Sequence, residues 1–171
     1  LDRTNMLAGL PATQQCFQLS TAFGSLLPAD VDGPTAPPVG APNYMISDGS
    51  NALLFWKFHV DWVTPANTTL TGPINIPVAA FAHPCPTSPR GACVPQPSTN
   101  QKLETLADRL MYRFAYRNFG SHESLVVNQA VKVGTNKPSI RTGIRWYELR
   151  NAAGQSLATA NPAVHQQGTF A

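Results

Sequence analysis

From Phe55 onward the stretch Ala52–Val63 (ALLFWKFHVDWV) alternates strictly. Trp56, Phe58, Val60 and Trp62 fall on one side, and Lys57, His59 and Asp61 on the other. Period two is the signature of a strand with one covered face. The same pattern returns at Leu110, Tyr112, Phe114 and Tyr116, which alternate with Arg109, Met111, Arg113, Ala115 and Arg117. Ser124–Val133 (SLVVNQAVKV) is β-branched and apolar on both sides, as expected of a strand between neighbours. Ile144–Arg150 (IRWYELR) and Val164–Phe170 (VHQQGTF) complete a run of four short strands. NFGSHE, GTNKPSIRTG and NAAGQS supply the intervening turns and loops.

The first half is less regular. Cys16–Leu19 (CFQL) and Asn43–Ser47 (NYMIS) predict strands, and Asp48-Gly49 predicts a turn. Thr68–Phe81 predicts a strand confined to an edge or to bulged pairing, because Pro73 and Pro77 cannot donate to a ladder. Between Ser25 and Pro42 lies a loop with five prolines and no period. Loops of that length are usually functional or wrap a surface. QKLETLADR (101–109) predicts a loop leading into the next strand.

Sixteen Pro and twelve Gly make about one residue in six, too dense for long helices. Only 12% of residues are charged, against about 25% in ordinary soluble domains. That excludes a polyelectrolyte, a coiled coil and a basic arm. The net charge is +3, with Lys and Arg scattered, so nothing points to nucleic acid. No apolar run is long enough for a transmembrane helix. The opening LDRTNMLAGL has no basic start followed by an apolar run, which predicts a processed chain or a piece of a longer one.

Cys85 and Cys93 flank a Pro-, Ser- and Gly-rich loop, which predicts a disulfide and an oxidising, secreted or periplasmic location. No second Cys or His pair stands at zinc-ligand spacing, and no metal or cofactor is expected. Cys16 is either a buried thiol or the partner of a cysteine on another chain.

FWKFHVDW (55–62), DRLMYRFAYRNFGSHESLVVNQAV (108–131), GIRWYELR (143–150) and QQGTFA (166–171) resemble a family of secreted bacterial proteins without assigned activity. These are similar to sialidase-type or related β-propellers. The resemblance implies an all-β fold of antiparallel four-stranded blades, part of a β-propeller. An open β-sandwich is the alternative that the strand pattern alone allows. On this reading residues 1–42 are a strand plus a Pro-rich wrapping loop, and 43–100 an incomplete blade with the Cys85–Cys93 loop. Residues 101–171 are then a complete four-stranded blade. Relatives continue past QQGTFA with further blades. The partners implied are therefore blades on another chain or a copy of this one. The sialidase turn Ser-x-Asp-x-Gly-x-Thr-Trp is absent; Ser47-Asp48-Gly49 lacks its spacing.

Several constellations carry possible chemistry. Lys57, His59 and Asp61 share a strand side, where a His near a carboxylate suits general base work; strand alternation alone gives the same pattern. Arg109, Arg113 and Arg117 share a side, and Arg145 and Arg150 sit on a strand of the same run. Clustered guanidinium groups grip carboxylates, so an acidic glycan is a fitting ligand; pairs with Asp108, Glu123 and Glu148 are the plainer reading. His122 and Glu123 lie in a turn. No Ser-centred elbow and no phosphate-cradling Gly loop occurs. Trp56, Trp62, Trp146, Tyr112, Tyr116 and Tyr147 are sugar-stacking candidates or core. Asn67-Thr68-Thr69 matches a glycosylation sequon. Three functions follow: a glycan- or polymer-binding module, a glycoside hydrolase with an Arg-rich pocket, or a subunit assembling through open sheet edges.

Overall fold

The computed structural model describes residues 1–88, 91–134, 141–151 and 155–171. The turn expected at 134–143 and the loop at 151–156 lie largely outside these residues. The fold is all-β. Eight strands form one mixed, strongly curled sheet, a half-barrel. In chain order they are β1 (Leu27–Asp32), β2 (Asn43–Gly49), β3 (Ala52–His59), β4 (Thr69–Pro77), β7 (Met111–Asn118), β8 (Glu123–Val133), β9 (Arg141–Arg150) and β10 (Ala163–Phe170). A separate hairpin pairs β5 (Ala92–Gln96) with the exposed β6 (Thr99–Glu104), and a short helix, α1 (Arg3–Leu7), is capped by Asp2.

The order across the large sheet is β10-β9-β8-β7-β1-β2-β3-β4. The run of four sequential strands is present as the antiparallel meander β7 to β10. Instead of standing as a separate blade, it shares one sheet with the meander β2 to β4, and β1 joins the two. β1 runs parallel to β7 (Ala29↔Phe114 to Asp32↔Arg117) and antiparallel to β2 at only two pairs, Leu27↔Ile46 and Pro28↔Met45. Arg113 pairs with Asp32 across the parallel seam.

The inner face of the curl is the core. Tyr44, Ile46, Leu53, Phe55, Ile76, Phe114, Tyr116, Leu125, Val127, Tyr147 and Leu149 all lie in one buried cluster. Each large apolar side chain so buried contributes about 1.5–3 kcal/mol. The faces of β3 are the reverse of what its amphipathic pattern implies. Leu53, Phe55 and, opposite Tyr44, Lys57 turn inward. Trp56 and Phe58 turn outward, yet Trp56 is fully buried. The N-terminal segment covers them: Phe23 packs edge-on to Trp56 and Phe17 to Phe58, and Ser47 Oγ holds the segment by donating to Gly24 O at 2.7 Å. That segment has no regular structure, so the strand expected at Cys16–Leu19 is absent. Cys16 is exposed and free, which corrects the buried-thiol reading.

β4 is an edge strand, and its pairing with β3 shifts register between Phe55 and Lys57, so both alternatives that its prolines allow are present. Gly72 precedes Pro73 at φ +134°, where a Cβ would strike Phe55 O and the Trp56 ring at 2.7 Å; only glycine permits that approach. β10 is the other edge. The segment after β4 reaches β10 through one side chain: Gln167 Oε1 accepts from Ala79 N at 3.0 Å. At the opposite end the strap 156–160 bridges. Lys57 Nζ donates to Ala158 O (3.3 Å) and Ala160 O (2.8 Å), and Leu157 is fully buried in the core. The Cys85–Cys93 disulfide is present, with Cα atoms 6.1 Å apart. No helix among the described residues is long and apolar enough to cross a membrane.

Candidate functional site

The half-barrel has two polar ends, each with a carboxylate at the rim of the core, and the two carboxylates differ in how completely they are bonded. At the Tyr44 end, Glu123 is buried. Its Oε1 accepts from Tyr116 Oη at 2.6 Å, and its Oε2 accepts from Ser156 Oγ and Leu157 N, both at 2.8 Å. Burial pulls the Lys57 ammonium below its ordinary pKa, with the Glu123 carboxylate acting against it. The bonds to Glu123 Oε2 and from Lys57 fasten the strap 156–160 to β8 and β3, and the Tyr116 bond ties Glu123 to β7. Glu123 is therefore a fastener of the fold.

The Asp48 end is built differently. Tyr44, Ile46 and Asp48 alternate inward along β2, so the third position brings a carboxylate to the rim of the core. The hairpin to β3 turns through Ser50 and Asn51, two residues beyond the expected Asp48-Gly49 turn. Asn51 takes a left-handed backbone, φ +52°, a conformation that Asn tolerates. It clamps the crossing segment after β4: Asn51 O accepts from Val78 N (3.1 Å), and its Oδ1 accepts from Phe81 N (3.0 Å). Ala82 O then accepts from Lys132 N of β8 at 2.8 Å. This clamp sets Phe81 and His83 beside Asp48.

Asp48, Gly49, Ser50, Asn51, Phe81 and His83 line a cavity of about 340 Å³. His83 Nε2 lies 3.8 Å from Asp48 Oδ2, and its ring stands edge-on to Phe81 at 5.4 Å. His83 Nδ1 is buried without a hydrogen-bond partner. Burial pushes the Asp48 carboxyl above its ordinary value against the pull of His83, and the Asp108 carboxylate adds to the rise. The disulfide begins two residues after His83 and anchors that side of the rim. The site thus offers a carboxylate, an imidazole, a short amide and hydroxyl, and one aromatic face.

The residues singled out from the sequence are spread over the molecule. His59 is exposed at the end of β3. Asp61 closes the following turn, accepting from Thr64 N (2.8 Å) and Val63 N (2.9 Å), and those bonds hold its carboxyl below the usual range. His122 stacks on Phe119 at 4.8 Å and meets Ser121 Oγ at 3.0 Å through Nδ1. It is adjacent in sequence to Glu123, whose side chain belongs to the strap network. The arginines do not converge. Arg109 pairs with Asp108, Arg113 with Asp32, and Arg117 lies over the Phe119 ring at 4.8 Å. Arg145 reaches Thr169 Oγ1 and Ala79 O, near the β10 edge. Of the aromatics, Trp56, Tyr116 and Tyr147 are core, while Trp62 and Tyr112 are exposed. Trp146 lies across Gly168 of β10, where a Cβ would meet the indole at 2.9 Å.

Nothing local in the sequence marks Phe81, His83, Ser50 or Asn51 as site residues, and Asp48 is legible there only as a turn residue. Asp48 and His83 meet across a separation that leaves no local motif.

Comparison with known protein families, curated proteins and solved structures finds no match to this chain.

Proposed function

We propose that this chain is an exported β module that binds a polyhydroxylated ligand, a glycan, at the Asp48 end. One observation carries the reading: a concave site where a half-buried carboxylate and an incompletely bonded imidazole stand beside an aromatic ring. Hydroxyl-rich ligands need paired acceptors and donors for orientation and an aromatic face for the apolar side of the ring. The disulfide supports export, since such bonds persist in oxidising compartments.

A glycan array, followed by calorimetric titration of its hits, tests this. Phe81→Ala is expected to weaken binding about tenfold with the fold retained. Absence of any glycan hit, or affinity indifferent to Phe81→Ala and His83→Ala, overturns the proposal.

A second reading, glycoside hydrolysis, has one specific support. Asp108 acts electrostatically on Asp48, and burial lifts the Asp48 carboxyl as a general acid requires. It replaces the Arg-rich pocket, whose members face different partners. Reducing-sugar release that disappears in Asp48→Asn would favour it over simple binding. Assembly with further strands, as the propeller resemblance implies, would use the edges β4 and β10; the particle mass in solution tests that part.

A further inference from the structure

At the opposite end, β1 and β2 part after two residue pairs, and the Pro-rich loop spans the gap between them. A cavity of about 200 Å³ fills the opening, lined by Ala29 and Val31 of β1, Pro37, Ala41 and Pro42 of the loop, Asn43, and the two tyrosines Tyr44 and Tyr116. Its wall is mostly apolar, and Pro37 and Pro42 contribute no backbone donor.

The loop is held in place. Asn118 Nδ2 donates to Ala36 O at 2.8 Å, and Ala41 N to Pro38 O at 2.9 Å. A wall fixed in this way keeps the ordering cost of binding low. The tyrosines differ. Tyr116 Oη is committed to Glu123. Tyr44 is 2% exposed, packed on Phe55 and Tyr116, and its Oη is buried with no hydrogen-bond partner. A buried hydroxyl without a partner costs about 1–3 kcal/mol, so its retention at a cavity wall needs a reason. A ligand acceptor meets that need.

We propose that this cleft binds a small, mainly apolar ring compound carrying one hydrogen-bonding oxygen, to which Tyr44 Oη donates. The size agrees, since an apolar cavity of about 150 Å³ elsewhere suffices for benzene. The apolar wall receives the ring and Tyr44 its single polar atom.

The test is an NMR titration of the whole chain with p-cresol and, in parallel, toluene. Saturable shifts are expected at Ala29, Val31 and Ala41, with p-cresol bound about fivefold more tightly than toluene, the value of one neutral hydrogen bond. Tyr44→Phe removes a hydroxyl that has no partner in the fold, so the variant keeps its structure and its toluene affinity, and the preference for p-cresol falls to parity. Ala41→Leu, which fills the mouth, weakens both compounds. No shifts at these residues, a preference that survives Tyr44→Phe, or binding indifferent to Ala41→Leu overturns the proposal.

Discussion

Glu123 and Asp48 are both carboxylates at the rim of one half-barrel core, and they do opposite things. Glu123 takes three hydrogen bonds from Tyr116, Ser156 and Leu157, and so ties a strap to the sheet. Asp48 has one imidazole at 3.8 Å and a cavity in front of it. A buried acid whose bonds are complete holds structure together. An acid whose burial is poorly compensated costs stability and is free to meet a ligand. The contrast also sorts the histidines. His83 faces the cavity with a ring nitrogen unbonded, whereas exposed His59 stands beside a turn that Asp61 already closes.

The largest effect belongs to the completed network. Glu123→Ala leaves the Tyr116 and Ser156 hydroxyls and the Leu157 N–H without their acceptor, and removes the carboxylate that acts on the Lys57 ammonium. A loss of about 3–5 kcal/mol in urea unfolding is expected. A loss below about 1 kcal/mol would show that the strap is not fastened there.

A second structural acid, Glu148, sharpens the point through pH. Burial works against its charged form. The bonds from Ser124, Arg150 and Gln166, all at 2.6 Å, outweigh that and hold it at about 2, against an ordinary 4.5. A depressed carboxyl stabilises the fold above its unfolded value and loses that contribution as pH falls from 4.5 toward 2. The loss amounts to about 3 kcal/mol. Unfolding free energies measured from neutral pH down to pH about 2 should show this fall in wild type and much less of it in Glu148→Gln. Equal slopes in both would assign acid sensitivity to other groups.

The disulfide comes next. Replacing Cys85 and Cys93 together by Ser removes a short closed loop, expected to cost about 2.5 kcal/mol in the loop-entropy account. Because the bridge anchors the His83 side of the rim, glycan affinity should fall with it. Unchanged affinity in the double variant would detach the loop from the site.

Much of the sheet was legible in the chain. Strands β7 to β10 announce themselves by alternation at Tyr112, Phe114 and Tyr116 and by the two-sided apolar run at Ser124–Val133. β1 did not, because LPADVD carries Pro28 and two aspartates and is a strand by virtue of its partners β7 and β2. β6 is exposed along its whole length and polar but for Leu103, so no periodicity marks it. The inversion of β3 has a nonlocal cause: Phe17 and Phe23 cover Trp56 and Phe58 from a segment without regular structure. The candidate site was the least legible part. Asp48 and His83 meet only because Asn51 clamps the segment after β4, and nothing near either residue encodes that crossing.

The smallest predicted change in stability is also the most telling. Asp48→Asn removes a carboxyl that burial has raised above its ordinary 3.8, so its ionised form costs stability at pH values above the raised pKa. The variant should equal or exceed wild type there by up to about 1 kcal/mol. Thermal unfolding of both proteins with and without the array-identified glycan decides the matter. The Asp48→Asn protein is expected to melt no lower than wild type when free and to gain nothing from the glycan, while wild type gains several degrees at saturating ligand, as a ligand-facing role for Asp48 requires. A variant that melts well below wild type when free, or that keeps the full ligand-induced shift, would contradict it.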